Sequence, residues 1–77
     1  MARPLKQQNE TTYSGRVGAI IRRRRLRKKL TVEQAADRAG MPTSTWYHAE
    51  AGRHLTLQRL PAIAEALGCK PRSLLPE

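Results

Sequence analysis

The sequence is short of acids, of aromatic side chains and of cysteine. Six of its 77 residues are Asp or Glu, one is Trp, two are Tyr, none is Phe, and there is one Cys. A lone cysteine, Cys69, forms no internal disulfide and has no neighbours at metal-ligand spacing. It reads as a small apolar residue near the C-terminal core. His48 and His54 are the only histidines and Asp37 the only aspartate, which leaves no set for acid–base or nucleophilic catalysis. A glycine-rich phosphate loop is missing too. The expectation is a protein that is not an enzyme and uses no cofactor, metal or evident small-molecule site. No apolar run approaches the ~20 residues that span a bilayer, and no signal-peptide core is present. A soluble, cytoplasmic protein with no membrane partner is expected.

What the chain has is positive charge. Fifteen Lys and Arg set against six acids give a formal charge of +9 and a pI near 11.2. Such an excess favours a polyanion, since neutralising phosphates releases condensed counterions. An anionic membrane attracts the same charge but needs a broad apolar face with bulky anchors, which the basic stretch lacks. Three aromatics with no stacking platform argue against RNA. Double-stranded DNA is the expected partner. Hydrophobic residues at 39% suffice for one compact core, and a chain this small needs close helix packing or a homodimer for stability.

Residues 1–13 carry Pro4, few apolar residues and no periodicity, so they read as a flexible N-terminal arm. The arm is either without a role or touches DNA through Arg3 and Lys6. Residues 14–77 form the domain. A first helix is expected over residues 14–28, with Ser14 as N-cap and Val17, Ile20 and Ile21 on one side. Arg24 and Lys28 continue that stripe, and Leu26 lies nearly opposite, exposed unless another segment covers it. Thr31 and Gln34 make a capping box for a second helix, rich in alanine and stopped by Gly40. Met41-Pro42 leads into a third helix over about 43–51, with Pro42 at its very start. Thr56 is the expected entry to a fourth helix whose apolar stripe is Leu57, Leu60, Ile63, Ala64 and Leu67. Pro61 argues for an irregular first turn or a start nearer Leu60. Pro71 opens a short last helix with Leu74 and Leu75 inward. No segment reads as a strand.

Two short helices joined by Gly40-Met41-Pro42, with a basic helix before and an apolar one after, make a recognisable device. The first helix braces against the DNA backbone while the second offers its N-terminal side chains to major-groove base edges. Residues 17–75 resemble the phage-repressor-like (Cro/C1, XRE) helix-turn-helix family. The landmarks are Val17-Gly18, Ile21-Arg22, Arg25, Leu30-Thr31, Ala36, Ala39-Gly40, Thr45, Glu50, Gly52, Leu60 and the run Ile63-Ala64-Glu65-Ala66-Leu67-Gly68, without insertion.

The resemblance implies an all-α, compact, five-helix lambda-repressor-like domain that regulates transcription. It also implies that Arg25 and Glu50 pair to tie the first helix to the end of the recognition helix; the alternative is an exposed Glu50 of little weight. It assigns base contact to Thr43, Ser44 and His48, with Tyr47 on the same face and Trp46, Ala49 and Glu50 on the other. Against this, Thr43 or Ser44 would merely cap the helix and His48 would be a solvated surface residue. No Arg, Lys, Asn or Gln stands on that face, so bidentate pairing to guanine or adenine is missing. Readout would rest on His48, hydroxyls, thymine methyls, water and DNA shape.

Phosphate contacts are expected from Arg22, Arg23, Arg27, Arg38 and Arg53. Seven of the eight residues 22–29 are basic; such a run also suits a solvated face or resembles a nuclear-localisation patch. Three departures from the family stand out. Val32 replaces a phosphate-contacting Gln. Lys29 replaces a glycine, so it either adopts a left-handed conformation or the turn differs. Trp46 replaces a smaller aliphatic residue while Ala35 and Ala49 replace larger ones, a volume exchange that makes Trp46 the central core residue rather than a DNA-stacking aromatic. Ile21, Leu60, Ile63 and Leu67 complete the expected core. A second reading, from the polar-poor face and Leu26, is a protein-interaction adaptor or antitoxin-like module on the same fold. The dimer surface, if there is one, is sought near Leu26 or Leu74 and Leu75.

Overall fold

The computed structural model describes residues 12–77; the expected arm of residues 1–13 falls almost wholly outside them. Four α-helices follow one another, α1 (Tyr13–Arg27), α2 (Val32–Ala39), α3 (Thr43–Glu50) and α4 (Leu60–Leu67), and a single 3-10 turn, Pro71–Leu74, closes the chain. The described residues contain no strand.

The starts of the helices follow from local chemistry. Thr12, rather than Ser14, caps α1: its hydroxyl accepts from the Gly15 amide at 3.0 Å. The capping box of α2 is complete, with Gln34 N–H donating to Thr31 Oγ1 and Thr31 N–H to Gln34 Oε1, both at 3.0 Å. Pro42 sits one place before α3, at the N-cap, and no side chain caps that helix.

All four helices end alike. An amide two or three places past each C-terminus returns to a carbonyl five residues back: Leu30 to Arg25, Met41 to Ala36, Arg53 to His48 and Cys69 to Ala64. This closure needs a left-handed residue one place earlier. Gly40, Gly52 and Gly68 supply it for three helices, and Lys29 at φ 60° supplies it for α1. The replacement of a family glycine at position 29 therefore keeps the turn and accepts the strain.

Two expectations about the C-terminal third need correcting. The fourth helix does not include Leu57, which is 81% exposed. Residues 57–59 form a turn, and α4 begins at Leu60 with Pro61 in its first turn, where the missing amide costs no bond. Nor is there a fifth α-helix: Leu75 leaves the turn in extended backbone, because the residue before a proline, here Pro76, is pushed out of the helical region. Leu74 is fully buried while Leu75 is partly exposed, so only one of the two points inward.

The core lies where α1 meets α3 and where α2 packs on both α3 and α4. Trp46, Ile21, Ile63, Leu67 and Leu74 are its largest fully buried side chains, and Leu60 joins them. Trp46 is thus the centre of the core, as the volume exchange with Ala35 and Ala49 requires. The α1–α3 crossing is close because Gly18 has no side chain: a β-carbon there would stand 2.7 Å from the Ala49 carbonyl oxygen.

Candidate nucleic-acid interface

The interface is built from the inside of α3 outward. Arg25, in the last turns of α1, donates from Nε to Glu50 Oε2 at 2.5 Å and from Nη2 to Oε1 at 3.2 Å. Its remaining nitrogen, Nη1, donates to the Leu30 carbonyl at 2.8 Å. The indole of Trp46 donates to the same Glu50 Oε2 at 2.6 Å. The buried Arg25–Glu50 pair therefore joins the end of α1, the turn after it and two positions of α3. The pairing of Arg25 with Glu50 matches what the family resemblance implies. The Trp46 bond was missed by sequence reasoning, although a buried indole N–H needs an acceptor and Glu50 stands one helical turn away.

With Trp46, Ala49 and Glu50 turned inward, the opposite side of α3 faces out. Ser44 and Tyr47 are exposed, and Thr43 and His48 are half-buried. Since no side chain caps α3, the capping alternative for Thr43 and Ser44 loses its ground. Sequence reasoning also missed what surrounds His48. Thr45, His48, His54 and Arg59 line one cleft beside α3, and the rings of His48 and His54 stand at 90° with centroids 5.1 Å apart. His54 reaches that position from a left-handed backbone, φ 54°, which no sequence pattern signals.

Seven of the cations fall into three groups. Arg25–Glu50 is the one ion pair among the described residues. Arg22, Arg23, Arg27 and Arg53 are exposed and without acidic partners. Two others gather at the C-terminal end of α4: Arg38 Nη1 donates to the Ala66 carbonyl at 3.4 Å, and the Lys28 ammonium lies 2.9 Å from where a side chain at Gly68 would begin. A helix C-terminus attracts positive charge, which accounts for both. Leu26 is half exposed, as its place opposite the buried stripe implies.

A short capped helix, a tight glycine turn and a second helix with a buried anchoring side and a polar outer side define a helix-turn-helix protein. A family model described as a helix-turn-helix domain matches residues 16–77. The chain belongs to the phage-repressor-like (Cro/C1, XRE) helix-turn-helix family of DNA-binding regulators. Among solved structures it is similar to the restriction-modification controller protein C.AhdI from Aeromonas hydrophila, at 31% identity and a TM-score of 0.74, over 78% of this chain and 92% of that one. A hypothetical transcription factor, NHTF, from Neisseria shares the fold at 22% identity and a TM-score of 0.80, over 97% and 87%. Hydroxypropylphosphonic acid epoxidase from S. wedmorenis matches at 28% identity and a TM-score of 0.72, over 88% of this chain but 36% of the epoxidase. No match is found among curated protein sequences.

The matches that span both chains are thus to a controller protein and a transcription factor, and the epoxidase likeness covers a minor part of that enzyme. Among the described residues no group of three or more His, Cys, Asp or Glu gathers as a metal site, and no helix is long and apolar enough to cross a membrane.

Proposed function

We propose that the protein regulates transcription by setting α3 in the major groove of double-stranded DNA, with Thr43, Ser44, Tyr47 and His48 toward the bases. Arg22, Arg23, Arg27 and Arg53 serve the phosphates. Arg38 is released from the phosphate role, since the end of α4 already engages it. The observation that carries this reading is the division of α3: a side fixed by the Arg25–Glu50–Trp46 network and a side left polar and open. Without bidentate readers on that side, sequence preference rests on single hydrogen bonds, methyl contacts and DNA shape.

A homodimer fits the same reading. Tyr13, Ser14, Val17, Leu55, Thr56, Leu57, Leu60 and Leu75 line a groove that carries no charge, in a chain of net charge +9. A second copy is its best occupant, because like-charged molecules approach one another most easily over their uncharged faces. This moves the expected dimer surface away from Leu26. Two copies so joined would read half-sites about one DNA turn apart.

Selection from a random duplex library, followed by titration of the winner at two salt concentrations, tests the proposal. A recurring motif and an affinity that falls steeply with salt are expected. Weak, sequence-blind binding unchanged in His48→Ala would overturn it in favour of the adaptor reading, to which the half-exposed Leu26 would then belong.

A further inference from the structure

The two ring nitrogens of His48 have different surroundings. Nδ1 is enclosed and meets no hydrogen-bond partner. The residue as a whole is only half-buried, and Nε2 is neither enclosed nor engaged. The ring also shares its cleft with Arg59 and Thr45, and stands edge-to-face with His54.

A neutral imidazole carries one hydrogen, and its location decides whether the open nitrogen gives or receives a hydrogen bond. A hydrogen on Nδ1 would be a buried donor with no acceptor, which loses its hydration without return. Among backbone groups, orphaned buried N–H donors are rarer than under-used acceptors, and a buried imidazole N–H meets the same penalty. The one compensation for the opposite placement, an N–H aimed at the face of the His54 ring, is a second-order interaction.

We infer that neutral His48 keeps its hydrogen on Nε2 and is therefore a donor-only reader of the major groove. It rejects cytosine, whose N4 amino group is itself a donor, and favours guanine, which offers two neighbouring acceptors, N7 and O6, over adenine and thymine, which offer one each. The inference rests on the proposal that α3 enters the major groove, and it gives one position of the site a chemical identity. Thr45, His54 and Arg59, which share the cleft with the ring, act as positioning residues rather than touching the base.

Two measurements test it. Long-range nitrogen–proton NMR correlations on the free, 15N-labelled protein, followed to rising pH until the His48 signals stop moving, report the tautomer of the neutral ring directly. The Nε2–H pattern is expected, and the Nδ1–H pattern overturns the inference. Duplex selection should then return guanine at one position of each half-site, with a preference of about tenfold that disappears in His48→Ala. Replacing that guanine by 7-deazaguanine or by 2-aminopurine removes N7 and O6 in turn. One replacement should weaken the wild type about tenfold and leave His48→Ala unchanged; equal losses in both proteins, or a cytosine preference, overturn the assignment. If no duplex binds at all, the DNA reading fails while the NMR result still stands or falls by itself.

Discussion

At the scale of single residues, Glu50 has the most depending on it. Its carboxylate receives three hydrogen bonds from two side chains in a site closed to water. Glu50→Ala leaves the Arg25 guanidinium buried without its anion and should cost about 3–5 kcal/mol, read as a lower urea midpoint. The Arg25→Ala, Glu50→Ala double variant should recover part of that loss, because the stranded charge is gone. Trp46→Ala should cost about 3–5 kcal/mol as a core cavity, a large share of what a domain this size possesses. Lys29→Gly should act in the other direction. It relieves a left-handed lysine at an exposed turn and should add about 1 kcal/mol, raising Tm by roughly 4–8 °C in a domain of this length.

At the scale of elements, the sequence was legible wherever local chemistry alone decides. Thr31 and Gln34 announced α2, and Gly40 marked its end, as the structure reproduces. It was less legible where a proline competes with an apolar stripe. Leu57 has the right spacing for α4, but Pro61 favours a start only one residue before itself, and Leu57 is left outside. Pro76 likewise cuts the last helix to a 3-10 turn by acting on the residue before it. Gly18 was visible as a family landmark, but its reason was not: the α1–α3 approach depends on which carbonyl lies opposite, and that is settled only in three dimensions. Gly18→Ala should force the two helices apart and lower the unfolding midpoint well beyond the small gain in helix propensity. Chemical denaturation of the two proteins side by side measures the difference.

At the scale of the whole molecule, net charge gave the partner class at once, but counting cations did not show which of them are available. Arg25 is consumed in the core, and Arg38 and Lys28 are drawn to the end of α4. These destinations depend on pairs 25, 28 and 40 residues apart, beyond any local pattern. The distinction predicts a difference in salt dependence. Arg53→Ala should weaken binding to all duplexes and reduce the slope of log K against log salt by about 1, whereas Arg38→Ala should leave that slope unchanged. If both slopes fall equally, Arg38 meets phosphate after all.

The divided helix α3 has one more consequence, for how such a protein changes over generations. Its inward residues secure the fold, and its outward residues take no part in that task, so mutation is free to act on one set without injuring the other. Exchanging both Thr43 and Ser44 for Gln should leave the unfolding free energy within about 0.5 kcal/mol, as surface changes usually do, while introducing the adenine-reading groups the present face lacks. Descendants of this chain are thus a few nucleotide changes from a new operator, and none of the steps between needs to pass through an unfolded protein.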